Sequence, residues 1–141
     1  MKVQEVLENY NVYKVRISIT EAEIEEIKND IIDIKSANLD GMPKPKGFVE
    51  SSIENQIADR QEKIEKKQRY INDLQFKIKI VEDLVKTLKK YNQDIIELRY
   101  YSKITIEEIA TRKNKTYGAI TKTIEKSIAK MQREYNRSKN L

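Results

Sequence analysis

Two long stretches of the chain place apolar residues three and four positions apart. In the first stretch these positions are Val3, Val6, Tyr10, Tyr13, Ile17, Thr20, Ile24, Ile27, Ile31 and Ile34. In the second they are Ile53, Ile57, Arg60, Ile64, Lys67, Ile71, Leu74, Ile78, Val81, Val85 and Leu88. Sustained for about five heptads, this spacing predicts two long helices that pair along narrow apolar seams, as in a coiled coil.

Three of these seam positions are polar, namely Thr20, Arg60 and Lys67, and polar seam residues can set register or oligomeric state. Each helix would be roughly 50 Å long at the usual rise per residue. Neither could bury its apolar stripe alone. We therefore expect the helices to pair with each other, with a second copy, or both, and a homodimer formed through the coiled coil is the expected assembly.

A single segment interrupts this pattern. Both prolines and two of the three glycines lie between Gly41 and Gly47, and these residues disfavour helix. The segment predicts a hairpin loop at about residues 36–50 that joins two antiparallel helices. We assign residues 1–90 to this helical stalk and residues 91–141 to a second domain. So few glycines and prolines are unusual for a β-rich fold, and the fold class predicted is all-α.

The amino-acid composition limits the classes of function that this protein can have. A mean hydropathy of −0.75 and 36% charged residues leave little material for a large globular core. There is no Cys and no His, so the usual zinc ligands and the commonest general base are missing. We therefore predict a protein that is not an enzyme, with no catalytic residues, metal or cofactor. No apolar run approaches membrane-spanning length, the first residues lack a signal-peptide core, and we expect a cytoplasmic protein.

The charge is distributed unevenly. Residues 1–40 carry 5 basic and 9 acidic groups, residues 41–85 carry 9 and 8, and residues 86–141 carry 14 and 6. A basic C-terminal third favours binding to a polyanion such as double-stranded DNA. The alternative interpretation of the charge alone is a solvated, lysine-rich surface.

From about residue 88 the pattern changes to short helices. The segment Leu88–Asn92 ends or bends the second long helix, and Asn92 is predicted to cap a helix that runs through Tyr100. Thr105 and Glu108 have the spacing of a capping box. They predict a short helix at residues 106–113.

A turn and a longer helix follow. Asn114 is the predicted turn residue because Asn tolerates the left-handed conformation. Thr116 is predicted to cap a last helix that ends near residue 135. A short helix, a tight turn and a longer helix form the helix-turn-helix layout. Its expected core consists of Ile109, Ala110, Ile120, Ile124, Ile128 and Met131.

In this layout the first turn of the second helix enters the DNA major groove. The candidate DNA-binding residues are Lys113, Lys115, Thr116, Tyr117, Gly118, Ala119, Thr121, Lys122 and Lys126. Lys130 and Arg133 would at most meet the DNA backbone. Plainer interpretations remain open: Gly118 as a neutral choice at a helix start, Tyr117 as a cover for the core edge, and the last basic residues as a solvated face.

Two segments carry a family resemblance. Asp94-Ile95-Ile96-Glu97-Leu98-Arg99-Tyr100, followed by Ile104-Thr105-Ile106-Glu107-Glu108-Ile109-Ala110, resembles region 4 of sigma-70-type transcription factors. The whole chain is similar to small phage and prophage regulators of the ArpU/RinA type, which have a loop like Gly41-Met42-Pro43 between two helical segments. The resemblance covers nearly the full length and is most specific in residues 92–131.

The resemblance implies sequence-specific DNA binding that activates late phage genes, together with host RNA polymerase. Lys113 and Lys115 depart from the family pattern, which has apolar residues there, and Asn114 replaces its usual Gly. Two other functions are open. One is a DNA-packaging accessory similar to a small terminase subunit, and the other is a sigma-like factor that binds polymerase without DNA.

Overall fold

The computed structural model of the protein describes residues 1–39 and 50–140, and every regular element in these ranges is helical. The helices are α1 (Val3–Glu8), α2 (Tyr10–Leu39), α3 (Glu50–Lys86), α4 (Lys90–Ile96), α5 (Ile106–Lys113) and α6 (Tyr117–Lys139). A π-helical turn, Glu97–Tyr101, directly follows α4. The all-α prediction is confirmed for the described residues. The predicted loop segment Gly41-Met42-Pro43 lies outside them. No helix in the described ranges has the length and apolar character needed to cross a bilayer.

Two helix starts differ from the sequence expectation. The first predicted long helix is interrupted at Asn9, between α1 and α2. The backbone and side-chain N–H groups of Asn9 both donate to the Glu5 carbonyl, at 3.1 and 2.9 Å. A side chain that bonds its own backbone in this way competes with helix continuation. The capping role predicted for Asn92 is wrong. Lys89 precedes the first residue of α4, and Asn92 lies inside that helix, because the tight turn at Thr87 and Leu88 lets α4 begin at once.

The contacts divide the chain into two units. The first comprises Met1–Lys14 and Gln75–Leu141, and the second comprises Val15–Leu74. This division differs from the predicted boundary between residues 90 and 91. The physical reason is burial: α1 and the end of α3 contribute apolar side chains to the same core as the three C-terminal helices.

The core of the first unit extends from α1 to α6. Ten of its apolar side chains are at most 2% exposed: Val3, Val6, Leu7, Val81, Val85, Ile95, Ile96, Ile109, Ile120 and Met131. Helix α6 packs against α1, α4 and α5. Hydrogen bonds add to this packing, since the Val3 N–H donates to the Gln132 side chain at 2.8 Å and that side chain donates to the Met1 carbonyl at 3.2 Å. The N-terminal helix is thereby attached to the C-terminal one.

A tyrosine pair lies in the same unit. The rings of Tyr10 and Tyr101 stack with centroids 4.2 Å apart. The Tyr10 hydroxyl donates to the Glu82 carboxylate at 3.1 Å, whereas the Tyr101 hydroxyl is buried with no partner among the described residues. Burial raises the pKa of Tyr101 above its ordinary value, and the nearby Tyr10, Glu82 and Glu97 raise that pKa further.

The second unit contains the greater part of α2 and α3. Thr20, Ile24 and Ile31 of α2 are buried, as are Ile71 and Leu74 of α3. The other apolar seam positions of this unit, Ile17, Ile27, Ile34, Ile53, Ile57 and Ile64, are only half-buried. The polar seam residue Lys67 forms an ion pair with Glu23. Arg60 donates to the Gln56 carbonyl within its own helix.

We expect Val6→Ala to destabilise the first unit, including its C-terminal helix. The change removes two buried methyl groups from a side chain that is 2% exposed, at a cost of about 2 kcal/mol. Amide hydrogen exchange in α6 should accelerate accordingly. Val12→Ala is the control, because it makes the same change in the same unit at a side chain that is 42% exposed. Unchanged exchange in α6 of the Val6 variant would show that α1 does not belong to this core.

We expect Tyr101→Phe to be neutral or stabilising near neutral pH. It deletes a buried hydroxyl that has no hydrogen-bond partner among the described residues. Tyr10→Phe deletes one that is bonded to Glu82 and should cost about 1 kcal/mol. Urea unfolding of both variants measures the difference.

The pKa of Tyr101 also predicts how the stability of the protein depends on pH. Folding raises the pKa of Tyr101 above its ordinary 10.0. Below pH 10 the phenol is neutral in both the folded and the unfolded state, and stability is fully retained. Above pH 10 the phenol ionises first in the unfolded state, so the free energy of unfolding falls as the pH rises. The parent should therefore lose more stability than the Tyr101→Phe variant as the pH rises above about 10. Equal losses in the two proteins would contradict the assignment.

Candidate nucleic-acid interface

Helices α5 and α6 are joined by three residues, Asn114 to Thr116, and both helix starts are capped as predicted. The Thr105 hydroxyl accepts from the Glu108 N–H at 3.2 Å, and the Thr116 hydroxyl accepts from the Ala119 N–H at 3.1 Å. The Glu108 carboxylate contacts Arg112 at 2.8 Å. The hydroxyl half of the predicted capping box is therefore present, while the carboxylate pairs within the helix.

The turn has the geometry that the sequence predicted. Asn114 has φ 55° and ψ 46°, in the left-handed region. Its N–H donates to the Thr111 carbonyl, and the N–H of Lys115 donates to the Ala110 carbonyl. This pair of bonds is the Schellman pattern, which satisfies the last carbonyls of a helix and turns the chain sharply. The direction in which α6 leaves α5 is thus set by local hydrogen bonds.

Apolar packing holds α5 against α6. Ile109 and Ile120 have no exposed surface, and Ala110 and Ile124 are each 7% exposed. A small Ala110 side chain lets the two helices approach closely. Ile128 is half-buried and Met131 is fully buried. The predicted core of this segment is confirmed, with Ile128 at its edge.

The opposite side of α6 carries a row of cations, which we call the basic stripe: Lys122, Lys126, Lys130 and Arg133. At 3.6 residues per turn these positions fall within an arc of about 80°. All four side chains are exposed. None of them makes an ion pair with a residue in the described ranges. Unpaired cations in a row repel one another and attract a polyanion.

The first turn of α6 is also open to solvent. Lys115, Thr116, Gly118 and Ala119 are exposed, and Tyr117 is 53% exposed. A Cβ added at Gly118 would meet no atom within 4 Å. Nothing in the described structure therefore requires glycine at this position. Tyr117 lies outside the core instead of covering its edge.

Two of the predicted contact residues have partners within the chain. Lys113 lies 3.6 Å from the Asp94 carboxylate, and its ammonium stands 5.6 Å from the centre of the Tyr91 ring. Thr121 is half-buried, and its hydroxyl donates to the Tyr117 carbonyl at 3.0 Å. Both side chains are thus held by the protein, while Lys122 and Lys126 are not.

Sequence reasoning missed two residues beside the basic stripe. Ser127 occupies a buried position of α6, and Asn92 of α4 lies near it across a shallow cleft. A signal for Ser127 was available, because it stands seven residues after Ile120 and four before Met131, on the apolar stripe. The position of Asn92 depends on how α4 packs and carried no local signal.

Comparison of the chain with models of protein families, with curated proteins and with solved structures gives no match. The described residues also contain no group of three or more side chains that could hold a metal ion.

Proposed function

We propose that the protein is a sequence-specific DNA-binding transcriptional regulator in which α5 and α6 form a helix-turn-helix. The observation that carries this proposal is the exposed first turn of α6 continuing into an unpaired basic stripe. A recognition helix places its first turn against base edges in the major groove, and basic residues along it contact phosphates. Capping of both helices and the Schellman turn support the same interpretation.

The proposal assigns different tasks to different residues. Thr116, Tyr117, Gly118 and Ala119 are placed for base edges, because they form the exposed end of α6. Lys115, Lys122 and Lys126 supply phosphate contacts. Thr121 can contact a base with its methyl group while its hydroxyl stays on the Tyr117 carbonyl. Lys113 stabilises the contact of α5 with α4 through Asp94.

For the biological role, the support is the sequence resemblance to sigma region 4 and to ArpU/RinA-type regulators. We propose activation of phage or prophage late genes together with host RNA polymerase. Of the two segments that carry the resemblance, Asp94–Tyr100 forms the end of α4 and most of the π-helical turn. The other, Ile104–Ala110, leads into α5 and forms its first part. Only the DNA-binding part of this role draws support from the geometry described above.

For the second unit we propose an antiparallel coiled-coil hairpin. Glu23 lies 16 residues before the end of α2 at Leu39, and its partner Lys67 lies 17 residues after the start of α3 at Glu50. Two contacting residues at nearly equal distances from a connecting segment are what an antiparallel pair requires.

We propose further that two copies associate through this hairpin. Six apolar seam residues remain half-buried in one chain, and Val15, Ile19 and Ile32 are more than half exposed. Coverage by a second copy would bury these side chains. Light scattering should give twice the mass of one chain over a micromolar concentration range. A single-chain mass throughout that range would rule the dimer out.

DNA binding is tested by a charge deletion on the basic stripe. Lys122→Ala should weaken binding to all duplexes alike and should lower the slope of log affinity against log salt by about one unit. Lys63→Ala is the matched control, because it removes the same charge from an exposed position in the second unit. Titrations of specific and scrambled duplexes at several salt concentrations give both quantities. Equal slopes for the parent and the Lys122 variant would contradict the assignment of this face.

Selection of bound DNA from a genomic pool separates the candidate functions. Enrichment of a motif upstream of late genes supports a regulator, and enrichment at a packaging site supports a terminase-like accessory. If no sequence is enriched and the parent shows no salt-dependent binding, the sigma-like factor that binds polymerase without DNA replaces the present proposal.

A further inference from the structure

The hydroxyl of Ser127 is the exception among the helical hydroxyls of α5 and α6. Four such hydroxyls donate to the carbonyl four residues earlier, at 3.0 to 3.1 Å: Thr111, Thr121, Thr123 and Ser138. Ser127 is only 2% exposed, and its Oγ has no hydrogen-bond partner in the described residues. A buried hydroxyl without a partner destabilises the folded state, and alanine would fill this position without that cost.

Ser127 forms part of the wall of a cleft between α4 and α6. The cleft has a volume of about 290 Å³ and is lined by Asn92, Lys126, Ser127, Ala129, Lys130 and Arg133. Three of the six lining residues are cations, and none is a carboxylate. The cations belong to the basic stripe, so the cleft adjoins the face assigned to DNA.

These residues match the chemistry of a phosphate group. A phosphate carries several acceptor oxygens, for which the Ser127 hydroxyl and the Asn92 amide are neutral donors. Arg133 can donate two parallel bonds to it, and the lysines add point charges. A hydroxyl hydrogen rotates about the Cβ–Oγ bond and can point toward such an oxygen. The unpaired hydroxyl then gains in the complex the acceptor that it lacks in the free protein.

We propose that this cleft binds one phosphate of the DNA backbone, with Ser127 as a hydrogen-bond donor to it. The inference rests on the proposed function and extends it from a charged surface to a specific contact. DNA is favoured over a free phosphate because the cleft borders a row of cations longer than one phosphate can occupy. A single fixed phosphate contact would set the register of the protein on the duplex.

The first test removes the hydroxyl alone. Ser127→Ala should remain folded with an equal or higher melting temperature, yet bind duplex DNA about tenfold more weakly, the size expected for a hydrogen bond to a charged group. Ser138→Ala is the control, since it removes the same atom from the same helix where the hydroxyl is bonded to the Glu134 carbonyl. Lys130→Ala, at an exposed position, should weaken the same contact without touching the core.

The second test locates the phosphate. Single methylphosphonate substitutions make one backbone position neutral at a time. At the position that occupies the cleft, the substitution should weaken binding of the parent and cause little further loss in Ser127→Ala. If both proteins lose affinity equally at every position, Ser127 contacts no phosphate and the proposal is wrong.

The outcomes distinguish failure of the cleft proposal from failure of the proposed DNA binding. If Ser127→Ala binds like the parent while Lys122→Ala binds more weakly, the cleft proposal fails and DNA binding stands. If the parent binds no duplex, both fail. In that case the parent is titrated with inorganic phosphate. A shift of the backbone amide resonance of position 127 that is absent in Ser127→Ala would identify a free phosphate as the ligand and would overturn DNA as its source.

Discussion

Burial of one side of α6 is the interaction on which the first unit depends. Ile120 and Met131 lose all their exposed surface, and α1, α4 and α5 all pack against this helix. A hydrophobic contact has no direction of its own, so the orientation of each partner comes from elsewhere. Caps and the Schellman turn orient α5, while Gln132 fixes the end of α1. Because the buried side is fully used, the opposite side of α6 is left to solvent and to ligands.

The opposite side illustrates how a binding surface can oppose folding. The four cations of the basic stripe make no ion pair with a described residue, so their charges add nothing to stability in the free protein. Their mutual repulsion is greatest at low salt. Ser127 adds a buried polar atom without a partner. Both features favour a state in which a polyanion is present. The buried core behind them packs α6 on its other side.

The sequence predicts most accurately what short-range interactions decide. Thr105, Asn114 and Thr116 act within four residues of their own positions, and their roles follow from side-chain chemistry and backbone conformation. Asn92 shows the limit of that approach, because a capping residue type inside a helix looks the same in the sequence as one at its start. The membership of α1 in the C-terminal unit carried no signal in its periodicity, since a stripe does not reveal which helix will cover it. Lys113 is a similar case, because its partner Asp94 lies on another helix and depends on the three-dimensional arrangement. The bond from Thr121 to the Tyr117 carbonyl is instead local, since it spans four residues of one helix.

The hydrogen bond between Val3 and Gln132 joins residues 129 positions apart in the chain. During synthesis, α1 therefore leaves the ribosome on the order of ten seconds before the helix that covers it exists. Until then Val3, Val6 and Leu7 lack the part of their cover that α6 provides, whereas residues 15–74 form a contiguous unit whose helices can meet much earlier. Local contacts form faster than distant ones. The order of translation thus favours folding of the paired helices first, and the surface assigned to DNA is assembled only when the last helix has been made.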